Sequence, residues 1–131
     1  MLALDSLTNF AWDKVYFFDE ETLPHHISTD IGFEWDGPAV PGFHTRLLFV
    51  DKNRVVCYMD YPYADYLNSP STGSHPFFLH NCAKVPPLKG LNRTEARLVV
   101  FRYCKDSSTP FVAVPANCFA DFKDTFAERC K

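Results

Sequence analysis

Two apolar runs constrain this chain more than anything else in it. The first is Trp12-Asp13-Lys14-Val15-Tyr16-Phe17-Phe18, and the second, some thirty residues on, extends from Leu47 to Pro62 with a polar interruption at Asp51-Lys52-Asn53-Arg54. Both carry branched and aromatic side chains at strand density. The polar break in the second is long enough for a turn and no more, so the pair predicts one strand and one hairpin of an antiparallel sheet. Expected strands are 13 to 18, 44 to 50 and 54 to 61.

Further on, the signals weaken but continue. Phe77-Phe78-Leu79 is a short strand or a packed loop, and the segments Arg97 to Cys104 and Pro110 to Val114 form a second predicted hairpin around Lys105-Asp106-Ser107-Ser108. Asp19-Glu20-Glu21-Thr22 before Leu23-Pro24 is a helix-start signal, with Thr22 as N-cap and Pro in the first turn, and Gly32 is a suitable stop, so a helix is expected over about 22 to 31. Phe119, Phe122 and Phe126 make an amphipathic stripe in the tail, whose apolar face would cover the sheet. Leu2, Leu4, Leu7 and Phe10 predict a short helix or an arm. With no repeat in the chain and no regular strand-helix alternation, the expectation is one α+β domain over residues 1–131, built on an antiparallel sheet of about five strands with one or two packed helices. A length of 131 residues suits one core and is too short for two. The predicted core contains Trp12, Val15, Phe17, Leu48, Val50, Val56, Val99, Phe101, Phe119, Phe122 and Phe126.

The runs 12–18 and 47–62 resemble a family of small bacterial envelope proteins, many of them lipoproteins, that share a WDKVYxF-like segment and an LLFV…VVxYxxYP hairpin. The likeness covers about residues 10 to 62. It departs from the family pattern after the first strand, where Asp19-Glu20-Glu21-Thr22-Leu23-Pro24 stands in place of a PYTP-like continuation, and no lipidation cysteine stands near the N-terminus. Met1-Leu2-Ala3-Leu4 has neither the basic start nor the length of an export signal, which implies either a cytoplasmic chain or a Met in place of a removed signal. The resemblance favours the latter, a periplasmic or cell-envelope location. No run of about 18 apolar residues is present to span a bilayer.

Five cysteines stand at 57, 82, 104, 118 and 130, without a CxxC pair or a zinc-type spacing to histidine. Cys57, inside an apolar run, reads as a buried free thiol. Cys82, Cys104, Cys118 and Cys130 read as two disulfides whose pairing stays open, against the alternative of five reduced core cysteines.

No GxSxG, HExxH, GxxxxGK[ST] or GxGxxG pattern occurs, which removes the commonest hydrolase, zinc-protease and nucleotide readings. His25 and His26 are adjacent, and on a helix adjacent side chains diverge by about 100°, a poor arrangement for one metal. No metal site or cofactor is expected. Glu34 with Asp36, or Asp60 with Asp65, are carboxylate pairs without a motif behind them. Asn92-Arg93-Thr94 matches a glycosylation acceptor by three residues only and is expected to be bare.

Charge is divided unevenly within a net of −3: residues 1–75 hold 11 acidic and 4 basic side chains, and residues 76–131 hold 5 and 9. The acidic half would repel nucleic acid, and the later cations are scattered singly. What remains is surface. Glu20, Glu21, Asp30, Glu34 and Asp36, together with Tyr61, Tyr63 and Tyr66 in a long Pro- and Ser-rich loop, combine steering charge with rigid aromatic anchors, as a protein-binding epitope does. A solvated helix face and an ordinary packed loop would use the same residues. The expectation is a non-enzymatic envelope protein that binds and neutralises a protein partner, a toxin or effector, in the manner of immunity proteins of interbacterial toxins. The alternatives are a small hydrolase with a Cys82/His80 or carboxylate site, and a small-ligand-binding module.

Overall fold

The computed structural model describes residues 1–62, 77–79, 90–102, 111–116 and 119. Among the described residues the strands are, in chain order, β1 (Leu2–Ala3), β2 (Lys14–Phe18), β3 (His44–Asp51), β4 (Arg54–Pro62), β5 (Phe77–Leu79), β6 (Leu91–Asn92), β7 (Arg97–Arg102) and β8 (Phe111–Pro115), and the helix α1 (Pro24–Ile31) lies between β2 and β3. They make two sheets, ordered β4-β3-β2-β6 and β1-β7-β8-β5. The mixed α+β class stands, with more strands than the five expected and with two sheets in place of one. Pairing is antiparallel throughout except that β5 runs parallel to β8.

Both expected strand pairs form, β3 with β4 and β7 with β8, while the expected turn at Lys105-Asp106-Ser107-Ser108 lies outside the described residues. Asp51 pairs with Arg54 across Lys52 and Asn53, and both turn residues have positive φ, 49° and 60°. Left-handed conformations at the two central positions give a type I′ turn, whose twist matches that of the flanking strands. One register shift interrupts the ladder: Val50 opposes Val55, but Phe49 opposes Cys57. The extra residue is a β-bulge, and it turns Val56 and Cys57 toward the same side. Val56 and Cys57 accordingly both pack, half-buried, against the core between the sheets. Cys57 is a free thiol, as expected, but is not fully buried.

The first sheet is covered on both faces. Val15, Phe17, Leu47 and Phe49 meet Leu4, Leu98 and Ala113 in the core between the sheets, while Tyr16, Phe18, Leu48 and Val50 meet Ile27 and Ile31 of α1, together with Val40. Two-sided burial explains why β2 and β3 read as continuous apolar runs rather than as alternating ones. Phe49 is 1% exposed and takes the rings of Phe10 and Trp12 edge-on at 5.3 and 5.1 Å. Val99 and Phe101 on β7 are half-buried, as is Phe119, whose ring lies 5.9 Å from that of Phe101. Phe122 and Phe126 lie outside the described residues.

Of the two alternatives for the N-terminal residues the structure takes the arm, and the expected cap of the helix needs correction. Leu2 and Ala3 pair with Leu98 and Arg97 and are followed by a 3₁₀ turn over Leu4–Ser6, so no N-terminal helix forms. The spacing that suggested one reflects an arm whose Leu4 is drawn into the core, with its N–H donating to Ala96 O at 3.0 Å. Helix α1 has Leu23, not Thr22, as its N-cap, with no side-chain cap. The Thr22 hydroxyl is already committed to Asp19 O at 2.8 Å, and Pro24 supplies the preset φ of the first turn. Gly32 ends the helix at φ 87°, a left-handed cap that a Cβ would disfavour.

Candidate functional site

Arg46 organises the face of the first sheet that carries α1. It sits in β3 on the same side as Leu48 and Val50, 1% exposed, in a position that otherwise calls for an apolar residue. Burying a charge there is costly unless the group is paired and its donors are satisfied. Asp60, directly across the ladder on β4, supplies the pair: Nε donates to Oδ1 at 2.7 Å and Nη2 to Oδ2 at 3.0 Å, a bidentate fork. Nη1 donates to Pro38 O and Nη2 to Ala39 O at 3.2 Å. The guanidinium also lies 4.5 Å from the Tyr58 ring centroid and 5.8 Å from that of Trp35, and the two rings meet edge-on at 5.4 Å.

The loop from Phe33 to Phe43 is thereby bound to the sheet. Its start is held by Ser28, whose hydroxyl accepts from Trp35 N–H at 2.9 Å and donates to Trp35 O at 3.1 Å. Its end is held by the reciprocal backbone bonds Glu21 N to Val40 O and Val40 N to Thr22 O, at 2.9 and 3.0 Å. Gly37 passes so close to the Trp35 indole that a Cβ would fall 2.0 Å from it. Only glycine allows that approach. Phe43 closes the loop at φ 67°, uncommon for a bulky residue, with its N–H donating to Glu20 Oε2 at 2.6 Å.

On this frame the expected partner-binding carboxylates take different positions. Glu21, Asp30, Glu34 and Asp36 are exposed, whereas Glu20 is half-buried and engaged with the Phe43 backbone. Glu20 is thus a latch on the loop rather than a rim charge. Glu34 and Asp36 flank Trp35, so the Arg46 cluster fixes where both carboxylates emerge. Together with Asp19, these residues give the segment from Val15 to Thr45 six carboxylates and no Lys or Arg. Phe43 and Leu23 leave apolar surface exposed in the same segment.

Tyr61 is half-buried against the core between the sheets, on the opposite face of β4 from Asp60, and its hydroxyl donates to Met59 Sδ at 3.3 Å. Burial pushes its phenol above the ordinary value, and Cys57 adds to the effect. Tyr61 therefore does not share a face with the acidic loop. Tyr16 is also raised, by burial first and then by the Asp13 and Asp30 carboxylates. Tyr63, Tyr66, His80 and the four disulfide candidates Cys82, Cys104, Cys118 and Cys130 lie outside the described residues. Among the described residues no three His, Cys, Asp or Glu side chains converge as metal ligands, and no helix is long and apolar enough to cross a membrane. The His25 and His26 rings lie 4.0 Å apart on the exposed side of α1. Asn92 holds the turn between β6 and β7, its Oδ1 accepting from Thr94 N, Thr94 Oγ1 and Glu95 N at 3.0, 2.7 and 2.9 Å.

Sequence reasoning missed Arg46 and Asp60 as a unit. The available signal was a lone Arg on the apolar face of a strand, which calls for a carboxylate nearby. Comparison with protein-family models, with curated proteins and with solved structures finds no match for this chain.

Proposed function

We propose that this chain is a non-enzymatic protein-binding module of the bacterial cell envelope, which neutralises a partner such as an interbacterial toxin by covering it with an acidic surface. The observation that carries the reading is the segment from Asp19 to Asp36: carboxylates, all but Glu20 exposed, without a compensating Lys or Arg, leading into a loop that a buried guanidinium anchors to the sheet. Preorganisation lowers the ordering cost of association, and a single-sign field steers a basic partner toward it. The partner therefore carries a basic face. Tyr61 contributes from the core rather than as an anchor beside the carboxylates, which shifts the apolar part of the epitope toward Leu23, Phe43 and the Trp35–Tyr58 pair.

The test is capture from a native envelope extract on immobilised chain, wild type against Glu34→Lys/Asp36→Lys. A basic protein retained in stoichiometric amount by the wild type and released by the double variant supports the reading. Equal retention by both places the interface elsewhere. Turnover of a substrate that is lost in Cys82→Ala or His80→Ala would replace the reading with the hydrolase alternative.

A further inference from the structure

We propose that Arg46 is the positioning residue of the acidic surface, setting the geometry that a partner meets without touching the partner itself. The inference rests on the reading of that surface as a binding face and adds the residue that fixes its shape. Arg46 is 1% exposed, so no ligand reaches it. Its donors nevertheless end on the backbone carbonyls of Pro38 and Ala39, one residue beyond Glu34-Trp35-Asp36, and on the Asp60 carboxylate of β4. Its flat face meets the rings of Trp35 and Tyr58. One side chain thus joins the loop that carries two exposed carboxylates to the outer strand of the sheet, through hydrogen bonds to the middle of the loop and a ring contact with Trp35 near its start.

Other ties hold the loop ends: Ser28 at Trp35, Thr22 and Glu21 at Val40, and Glu20 at Phe43. Between Trp35 and Val40 the backbone reaches the sheet through Arg46. A lysine there keeps the charge, and with it the long-range field, but offers a point donor that cannot fork across Asp60 while also serving two carbonyls and stacking on a ring. Steering and shape are separable in this arrangement: steering follows net charge, and shape follows the guanidinium.

Arg46→Lys is the variant that separates them, read by amide hydrogen exchange of the full chain. The reporters are the N–H groups of Trp35, Val40 and Phe43, which do not bond to Arg46 themselves. Expected is a loss of protection of about tenfold or more at these amides, with the amides of β2 and the centre of β3 unchanged. Unchanged loop exchange, or an equal loss over β2 and β3, would overturn the positioning role. Asp60→Asn, which keeps the shape of the acceptor and removes its charge, should give the same local pattern in milder form and serves if the lysine variant does not fold. Against the captured partner, Arg46→Lys should leave the association rate near that of wild type and raise the dissociation rate about tenfold. Local exchange with an unaltered dissociation rate would overturn the link between loop geometry and binding. Failure of the binding reading itself would show separately, as indifference to charge reversal at Glu34 and Asp36.

Discussion

Asp60→Ala removes the partner of a guanidinium that stays buried, and the structure sets the size of the loss. Two charge-assisted hydrogen bonds, at 2.7 and 3.0 Å, disappear, while Arg46, 1% exposed, cannot swing to solvent without dragging out Trp35, Tyr58 and the loop carbonyls it serves. Breaking a buried pair from one side costs roughly 3 to 5 kcal/mol. The Asp60 side chain is 20% exposed, so water enters the vacated space and solvates the cation in part. The lower end of the range, about 3 kcal/mol, is therefore expected, or a fall in Tm on the order of 10 °C for a domain of this size. Urea unfolding followed by far-ultraviolet circular dichroism and tryptophan emission measures it, with the m-value unchanged if the transition stays two-state. Replacing both partners, Arg46→Met with Asp60→Leu, should recover most of the loss, because a desolvated pair competes poorly with an apolar pair of similar volume. A loss below about 1 kcal/mol for Asp60→Ala, the size typical of a surface ion pair, would refute the reasoning.

Gly37→Ala places a Cβ 2.0 Å from the Trp35 indole, so the ring must leave its place beside Arg46; a cost of roughly 1 to 3 kcal/mol is expected by thermal denaturation. Phe49→Ala empties the centre of the core between the sheets and should cost roughly 3 to 5 kcal/mol in urea, and a midpoint like that of wild type would show that the sheets do not pack through it. Tyr16 and Tyr61 have phenol pKa values raised in the folded chain, so the folded state holds those protons longer than the unfolded state does. Their contribution is complete below the unfolded value of about 10 and declines as pH rises through and beyond it; stability should fall in that window, and Tyr16→Phe should flatten the fall.

The hairpin from β3 to β4 was legible because its turn residues and its branched strands agree. Its register was not. A ladder counted back from the pair Asp51–Arg54 without interruption sets Arg46 opposite Met59, with Asp60 on the wrong face; the bulge at Val56 shifts the count by one and brings Asp60 across from Arg46. Nothing in Val55-Val56-Cys57 marks a bulge, since all three residues suit a regular strand. The same shift explains why Val56 and Cys57 share a side where alternation separates them. The number of strands was underestimated for another reason: β1, at the edge of the second sheet, and β6, at the edge of the first, are two residues long, too short to leave a period in the sequence, and exist because longer neighbours pair with them. Of the surface, the acidic residues were legible as charge, but the separation of Glu20 from the others depends on a bond to Phe43, 23 positions away.

The dependence of the association rate on ionic strength, measured for the captured partner against wild type and Glu34→Lys/Asp36→Lys, tests the proposed function most directly. Steering by the exposed carboxylates requires the wild-type rate to fall steeply as salt is added, and the double variant to start at least about tenfold slower at low salt with a flatter slope. Rates and slopes that coincide for the two proteins would contradict the account.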